Sequence, residues 1–278
     1  MGDLITLTTD FGLADGYVGA MKGVIKAINP GADIVDISHE VAPQDILEAS
    51  YVLGTTYRYF PSSTVHIVVV DPGVGTERAA VLLVTPSGLF LGPDNGVLSH
   101  VLMDLGLQGG SPEDALFALY QTSVPAKAKA YRLSDTKWWL PQVSHTFHGR
   151  DIFAPVGARL SLGLPPHLVG EQLYSLTAIN VPKPYRPDGN TVMGHVVHID
   201  RFGNLITTIT EKDIPSGDVV VEVGDVRIHG LSNSYEAAGE LLAILGSTGA
   251  LEIAHKRGSA QKKLGAQRGT QVVVRSNG

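Results

Sequence analysis

Side chains able to hold a water or move a proton gather at three places before residue 152. Asp10 opens Asp10-Phe11-Gly12 directly after the apolar run Leu4–Thr9, where a strand would hand it to a tight turn. Asp71 opens Asp71-Pro72-Gly73-Val74-Gly75-Thr76-Glu77-Arg78, a loop stiffened by Pro and narrowed by two glycines. A carboxylate at a strand end and a guanidinium on the returning side of its loop can meet across the turn, either as an ion pair that only staples the loop or as working parts of a site. The third place is Ser144-His145-Thr146-Phe147-His148-Gly149-Arg150-Asp151, where two imidazoles three residues apart precede a helix start. These residue types suit general acid–base work. His145, His148 and Asp151 are also potential metal ligands. His195 and His198 do not complete such a set, because residues three apart on a strand face opposite sides.

Two competing readings fail on missing partners. Asp10-Phe11-Gly12 lacks the lysine strand and His-Arg-Asp loop of a kinase. Gly73-x-Gly75 lacks the third glycine of a dinucleotide loop, Arg78 standing there instead. Asp10 by itself would equally serve an Asx-turn or a helix cap. In the second half, Asp200-Arg201-Phe202-Gly203-Asn204 joins a carboxylate, an aromatic ring and a carboxamide in one turn. Tyr235 and the run Gly246–His255, with Ser247, Glu252 and His255, set further polar groups beside tight turns.

The elements that must position these groups follow from periodicity. Leu4–Thr9 reads as a strand, and Tyr17–Ile28 as a helix with Val18, Met21, Val24, Ile25 and Ile28 on one face, stopped by Pro30-Gly31. Ile34–Ile37 predicts a second strand, Asp45–Tyr59 a second helix, and Val65–Val70 a strand buried on both faces. Val81–Thr85 and Leu89–Gly92 form an expected hairpin around Pro86-Ser87-Gly88. Helices are expected over Gly96–Leu105 and Asp151–Leu162. The pattern weakens between Gly106 and Lys129, where an insertion or mobile loop is expected. Alternating strands and helices predict an α/β unit over residues 1–180 with a mostly parallel sheet. Residues 181–190 have linker composition. Beyond them, runs at Gly194–Ile199, Leu205–Ile209, Val219–Val223, Val226–His229, Leu242–Ile244, Leu251–Ala254 and Gln271–Arg275 predict a smaller, barrel-like β domain over 191–278. Strand-end loops are where such sheets bind ligands, which is where Asp10 and Asp71 fall.

Composition narrows the function. Of 278 residues 44% are hydrophobic and 17% charged, the profile of a folded chain. With 27 acidic against 21 basic residues the net charge is −6, the wrong sign for neutralising phosphates, so no nucleic-acid partner is expected. Cysteine is absent, which excludes thiolate nucleophiles, zinc ribbons and iron–sulfur clusters. No apolar run approaches the roughly 20 residues of a membrane helix. The N-terminus shows no signal-peptide pattern. A cytoplasmic protein without membrane contact is the expectation.

Taken in order, Thr9-Asp10-Phe11-Gly12, Asp36-Ile37-Ser38-His39, Asp71-Pro72-Gly73-Val74-Gly75-Thr76 with Arg78, Gly92-Pro93-Asp94-Asn95-Gly96, Phe147-His148-Gly149-Arg150-Asp151, Phe202-Gly203-Asn204 and Leu251-Glu252-Ile253-Ala254 carry a resemblance. From Leu4 to about Val274 the chain resembles the S-adenosyl-L-methionine hydroxide adenosyltransferases, hydrolases related to fluorinase and chlorinase. The resemblance implies a homotrimer with sites between subunits. It also implies hydrolysis of S-adenosyl-L-methionine to adenosine and L-methionine, with no metal or other cofactor. By motif, Asp71, Arg78 and His148 match the family's water-binding set and Asp10 its ribose carboxylate. Asp200 and Asn204 match positions near the methionine end of the substrate, and Tyr235 an adenine-stacking aromatic. Asn95, Phe202, Ser247, Glu252 and His255 fall among its other substrate-contacting positions. Halogenating relatives lose the Asp-Arg-His set that this chain keeps. The readings left beside hydrolysis are a C5′ halogenase, a non-catalytic adenosine- or S-adenosylmethionine-binding protein, and a metal-dependent hydrolase using His145, His148 and Asp151.

Overall fold

A computed structural model describes residues 3–107, 115–237 and 239–276. The described residues divide into two compact units, one built from 3–107 with 119–179 and the other from 115–118 with 180–276.

In the first unit, β1 (Leu4–Thr9) leads to α1 (Tyr17–Ile28), β2 (Asp33–Ser38), α2 (Ile46–Thr56), β3 (Val65–Val69), β4 (Ala80–Thr85), β5 (Gly88–Pro93) and α3 (Ser99–Asp104). β6 (Leu119–Ser123), β7 (Lys129–Arg132), α4 (Ala154–Ser161), β8 (Gln172–Leu173) and β9 (Ser175–Ile179) follow. The main sheet has the order β2-β1-β3-β5-β4-β7-β8. Its first four strands are parallel and the rest antiparallel. β3 is buried along its whole length, as its β-branched residues, interrupted only by His66, favour. Val65, Ile67 and Val69 face a cluster with Met21 and Ile25 of α1 and Ala154 and Ala158 of α4. Val68 and Val70 face the opposite cluster, with Ala49 and Leu53 of α2 and Val101 and Leu102 of α3. Helices on both faces leave the strand ends as the open edge of the sheet. There β1 delivers Asp10, β2 delivers His39, and β3 delivers Asp71.

Two elements differ from the sequence pattern. The helix expected from Asp151 begins instead as a π-helical turn over Gly149–Phe153, and α4 starts only at Ala154. The weakly patterned stretch from Gly106 contributes β6, which pairs with β9 in a separate two-stranded sheet; residues 108–114 of it lie outside the described residues.

α2 is held at its start by Asp45, whose carboxylate accepts the Glu48 backbone N–H at 3.0 Å. Removing that acceptor strands an end amide of the helix that follows the site loop. Asp45→Ala is expected to cost about 1 kcal/mol in urea unfolding, the usual worth of an N-cap. A change below about 0.3 kcal/mol would show that the cap contributes nothing.

The second unit contains β10 (Thr191–Ile199), β11 (Leu205–Thr210), β12 (Val219–Val223), β13 (Val226–His229), β14 (Leu241–Leu245), β15 (Ala250–His255), α5 (Ala260–Leu264) and β16 (Gln271–Ser276). Its strands form one antiparallel sheet of order β13-β12-β16-β10-β11-β15-β14. An isolated bridge from Ser232 to Ile244 of β14 nearly closes it into a barrel. Alternate inward residues, among them Val192, Val196, Leu205, Val221, Ile253 and Val274, fill the interior. The segment before β10 is tied to it by reciprocal backbone hydrogen bonds between Tyr185 and Met193, at 3.0 and 2.9 Å.

Candidate active site

A cleft of about 400 Å³ opens at the parallel strand ends of the first unit, and Asp10, Gln44, Asp71, Phe147 and His148 are among its lining residues. Arg78 joins its polar groups. Arg78 Nε donates to Asp71 Oδ1 at 3.0 Å and Nη2 donates to Asp71 Oδ2, a bidentate pair across the loop. The same Nη2 lies 2.8 Å from His148 Nδ1. Both charged side chains are nearly buried, Arg78 at 11% and Asp71 at 5% exposure, so the pair is shielded from bulk water.

A guanidinium has no acceptor, so His148 Nδ1 must offer its lone pair and the ring proton must sit on Nε2. His148 is therefore neutral in this network. Burial, then the Arg78 charge, pull its pKa below the ordinary 6.5 and outweigh the opposing Asp71 and Asp151 carboxylates. As pH falls through that lowered pKa, Nδ1 gains a proton and faces the Arg78 N–H, which breaks the network. The acid limb of kcat/KM is expected to have its midpoint below 6.5, matching the His148 ring titration followed by NMR. A ring midpoint above 6.5 would overturn the assignment.

The segment carrying His148 is fixed from below. Asp151 is fully buried and accepts from Arg150 Nε at 2.6 Å, and from Ser144 N and Oγ at 2.8 and 2.7 Å. Burial alone would raise its pKa, but the Arg150 and Ser144 hydrogen bonds hold it below the usual range. Both oxygens are thus engaged within the loop, and His148 Nδ1 is engaged by Arg78. Of the alternative metal triad His145, His148 and Asp151, the last two are held by these other contacts. Among the described residues, no three His, Asp or Glu side chains are grouped to hold a metal ion.

Asp10 sits at the cleft with its Oδ2 accepting the Gln44 N–H at 2.8 Å. Gln44 adopts φ +67°, a left-handed conformation that a non-glycine residue adopts only when its surroundings impose it. Phe11, Tyr17 and Phe147 form an aromatic wall with centroids 5.2–5.7 Å apart, Phe147 meeting the other two rings edge-on. Asn95 stands apart from the other candidates. Its amide donates to the Val70 carbonyl at 2.9 Å and accepts from Val97 N at 3.2 Å, bracing the backbone just before Asp71.

The second unit has its own pocket, of about 660 Å³, lined by Asp200, Phe202, Asn204, Tyr235, His255, Arg257 and Gly258. Asp200 Oδ1 accepts from Phe202 N and Asn204 N, each at 2.9 Å, and Oδ2 accepts from Asn204 Nδ2 at 2.8 Å. Phe202 and Tyr235 present exposed rings, at 76% and 49%. Tyr235 Oη donates to Glu252 Oε2 at 3.0 Å. Burial raises the Glu252 pKa, helped by Asp200 and opposed by Tyr235. His255 Nε2 lies 3.0 Å from Glu240 Oε1. Ser247 is exposed in the turn between β14 and β15 and is not among the pocket-lining residues. Sequence reasoning missed Gln44, the aromatic wall and Arg257. Only Pro43-Gln44-Asp45, just ahead of a helix start on the strand-end side, carried a signal for the first of these.

Fold and site together define a two-part protein: an α/β unit with an Asp–Arg–His cluster at its strand ends, and a small β barrel with an acidic and aromatic pocket. Residues 5–170 match the SAM hydroxide adenosyltransferase N-terminal domain and residues 194–273 the SAM hydroxide adenosyltransferase C-terminal domain. The chain is 36% identical to the (R)-S-adenosyl-L-methionine hydrolase of Salinispora tropica, covering 97% of both chains. It is 38% identical to the enzyme of that name from Thermus thermophilus, covering 95% of this chain and 96% of that one. A fluorinase of an Actinoplanes species matches at 26% identity over 78% of this chain and 74% of its own. The crystal structure of an uncharacterized conserved protein from Thermotoga maritima superposes with a TM-score of 0.83 at 36% identity, covering 97% of this chain and 99% of that one. The chain belongs to the SAM hydroxide adenosyltransferase family.

Proposed function

We propose that this chain hydrolyses S-adenosyl-L-methionine, water attacking C5′ of the ribose and displacing methionine from the sulfonium to give adenosine, L-methionine and a proton. The observation that carries the reading is the Arg78 guanidinium shared between Asp71 and His148 at a shielded strand-end cleft. Relatives named hydrolases match at 34–38% identity, against 25–26% for fluorinases, which favours water over halide as the nucleophile.

Water is a poor nucleophile, so in-line positioning supplies much of the acceleration. In this reading Arg78 stabilises hydroxide character in the attacking oxygen. His148 donates its Nε2–H to that oxygen, and Asp71, whose oxygens keep acceptor sites beyond those facing Arg78, takes the proton. Asp10 accepts hydrogen bonds from the ribose hydroxyls. Its carboxylate lines the cleft with Oδ2 held by the Gln44 N–H, which supports that role. The proposal assigns Asp200, Phe202, Asn204, Tyr235, Glu252 and His255 to the methionine and adenine ends. Asp200 supplies the negative charge that suits an ammonium group.

The proposal requires no metal or other cofactor. It extends to a homotrimer with sites between subunits, consistent with the exposed Phe202 and Tyr235 rings, and to a cytoplasmic location. Among the described residues no helix is long and apolar enough to cross a membrane.

The test is incubation of the purified chain with S-adenosyl-L-methionine, with and without chelator and halide, followed by product identification. Equal amounts of adenosine and methionine, unaffected by chelator, are expected. A 5′-halogenated nucleoside, chelator-sensitive turnover, or binding without turnover would each replace the reading. Light scattering should give three times the monomer mass.

A further inference from the structure

One motif, Asp36-Ile37-Ser38-His39, has no task in the mechanism above, yet the structure brings it beneath the Asp10 loop. His39 is 4% exposed and holds that loop at both ends: its carbonyl accepts Gly12 N–H at 2.8 Å, and its Nδ1 lies 2.8 Å from Thr9 Oγ1. Thr9 Oγ1 in turn accepts the Phe11 N–H at 3.3 Å, closing a hydroxyl turn around Asp10. The other ring nitrogen, Nε2, lies 3.1 Å from Asp36 Oδ1, and Lys22 Nζ donates to Asp36 Oδ2 at 2.6 Å. The register between β1 and β2 slips at this point, Leu7 pairing with Asp36 and Thr8 with Ser38. The pairing thus passes over Ile37, a register irregularity that re-aims neighbouring side chains.

The Asp36 carboxylate gives the series a direction. Thr9 Oγ1 keeps a second lone pair beside the one that accepts Phe11 N–H, so it fixes no direction by itself; the carboxylate 3.1 Å from His39 Nε2 favours the ring proton on that nitrogen, which leaves Nδ1 to accept from the Thr9 hydroxyl. The ring is then the Nε2–H tautomer, with Nε2 within ion-pair distance of the Asp36 carboxylate though not aligned for a hydrogen bond to it. A hydroxyl without this acceptor could rotate and turn its lone pair away from Phe11. The main chain on the far side of Asp10 would then lose its anchor.

We propose that His39 is a positioning residue for the ribose site, acting through Thr9 with Asp36 fixing its tautomer, so that Asp10 meets the two ribose hydroxyls in one orientation. This inference rests on the proposed role of Asp10 and adds to it. His39 touches no substrate. Its effect is on how well the carboxylate distinguishes a 2′-hydroxyl from a hydrogen.

The experiment compares binding of adenosine and 2′-deoxyadenosine by calorimetry, with steady-state kinetics on S-adenosyl-L-methionine, in wild type, Thr9→Val, His39→Leu, His39→Asn and Asp36→Ala. Wild type should prefer adenosine by about tenfold or more, as a hydrogen bond to a carboxylate implies. Thr9→Val and His39→Leu should cut that preference to about threefold or less and raise KM by about tenfold, with kcat within about threefold. His39→Asn, which keeps an acceptor near the Nδ1 position, should restore most of the preference. Asp36→Ala, at a partly exposed site where folding is not at risk, should lower it about twofold to threefold. Lower melting temperatures with the preference intact in all four variants would make the series structural only and overturn the inference. If wild type itself shows no preference, the role of Asp10 is wrong and the inference falls with it, a result distinct from failure of the variants.

Discussion

Replacing Arg78 with lysine is expected to lower kcat by about 10²- to 10³-fold, the usual cost of losing one preorganised donor at a reacting centre. Adenosine affinity should stay within about threefold. The substitution keeps the positive charge beside Asp71, so the measurement separates charge from geometry. Arg78 spends Nε on one oxygen of Asp71 and shares Nη2 between the other oxygen and His148 Nδ1. A planar fork reaches these three acceptors at once, whereas an ammonium at the end of a shorter chain acts as a single point. The His148 contact, from a segment 70 residues away, should be the first lost. Because the pair is nearly buried, Arg78→Ala is a different experiment: it leaves Asp71 uncompensated and should cost about 3–5 kcal/mol of stability. Single-turnover kinetics, calorimetry with adenosine and thermal melts distinguish the two variants. If Arg78→Lys keeps more than a third of wild-type turnover, charge alone suffices and the fork is not needed.

That network shows where sequence reading succeeds and where it stops. Asp71 and Arg78 lie on one loop, so their meeting follows from the turn that Pro72, Gly73 and Gly75 impose. His148 shares no local geometry with them, and only the resemblance put it in the same site. Gln44 was illegible for a different reason. It contributes a backbone N–H, which nearly any residue owns, and its positive φ is imposed by its surroundings rather than its type.

The same division runs through the fold. β1 and α1 were read to the residue because strong apolar period and stop signals coincide there. The strands β6, β7 and β8 were not read, since they are short or partly exposed and exist only through partners distant in sequence. α5 carried both end signals, Ser259 as N-cap and Gly265 beyond its end, but at five residues it is too short for a helical period to show. Asp151 was read as the acidic opening of a helix. Its charge is instead buried in the π-helical turn, held by Arg150 and Ser144, and serves to hold the His148 segment.

The second large effect is expected at Gly75, where the two halves of the network are pressed together. Gly75 has φ +79°, and a Cβ added there would lie 2.4 Å from the His145 carbonyl oxygen. That atom is backbone and cannot swing aside, so Gly75→Ala must push the Asp71–Arg78 loop and the 145–148 segment apart. The left-handed conformation alone costs an alanine about 1–2 kcal/mol. The enforced separation opens the Arg78 to His148 contact, and a displacement near 1 Å at a reacting centre can cost about 10²-fold in rate. Gly75→Ala should therefore lose about 10²-fold or more in kcat and melt several degrees lower. Gly73, two residues earlier, is the control. Its φ is not in the left-handed region, and a Cβ there meets Thr76 Oγ1 at 3.4 Å and Arg78 Cγ at 3.6 Å, ordinary contacts. Gly73→Ala should stay within about threefold of wild-type kcat. Equal losses in the two variants would show that the loop merely resists any side chain, and that its close approach to His145 does not set the Arg78–His148 geometry.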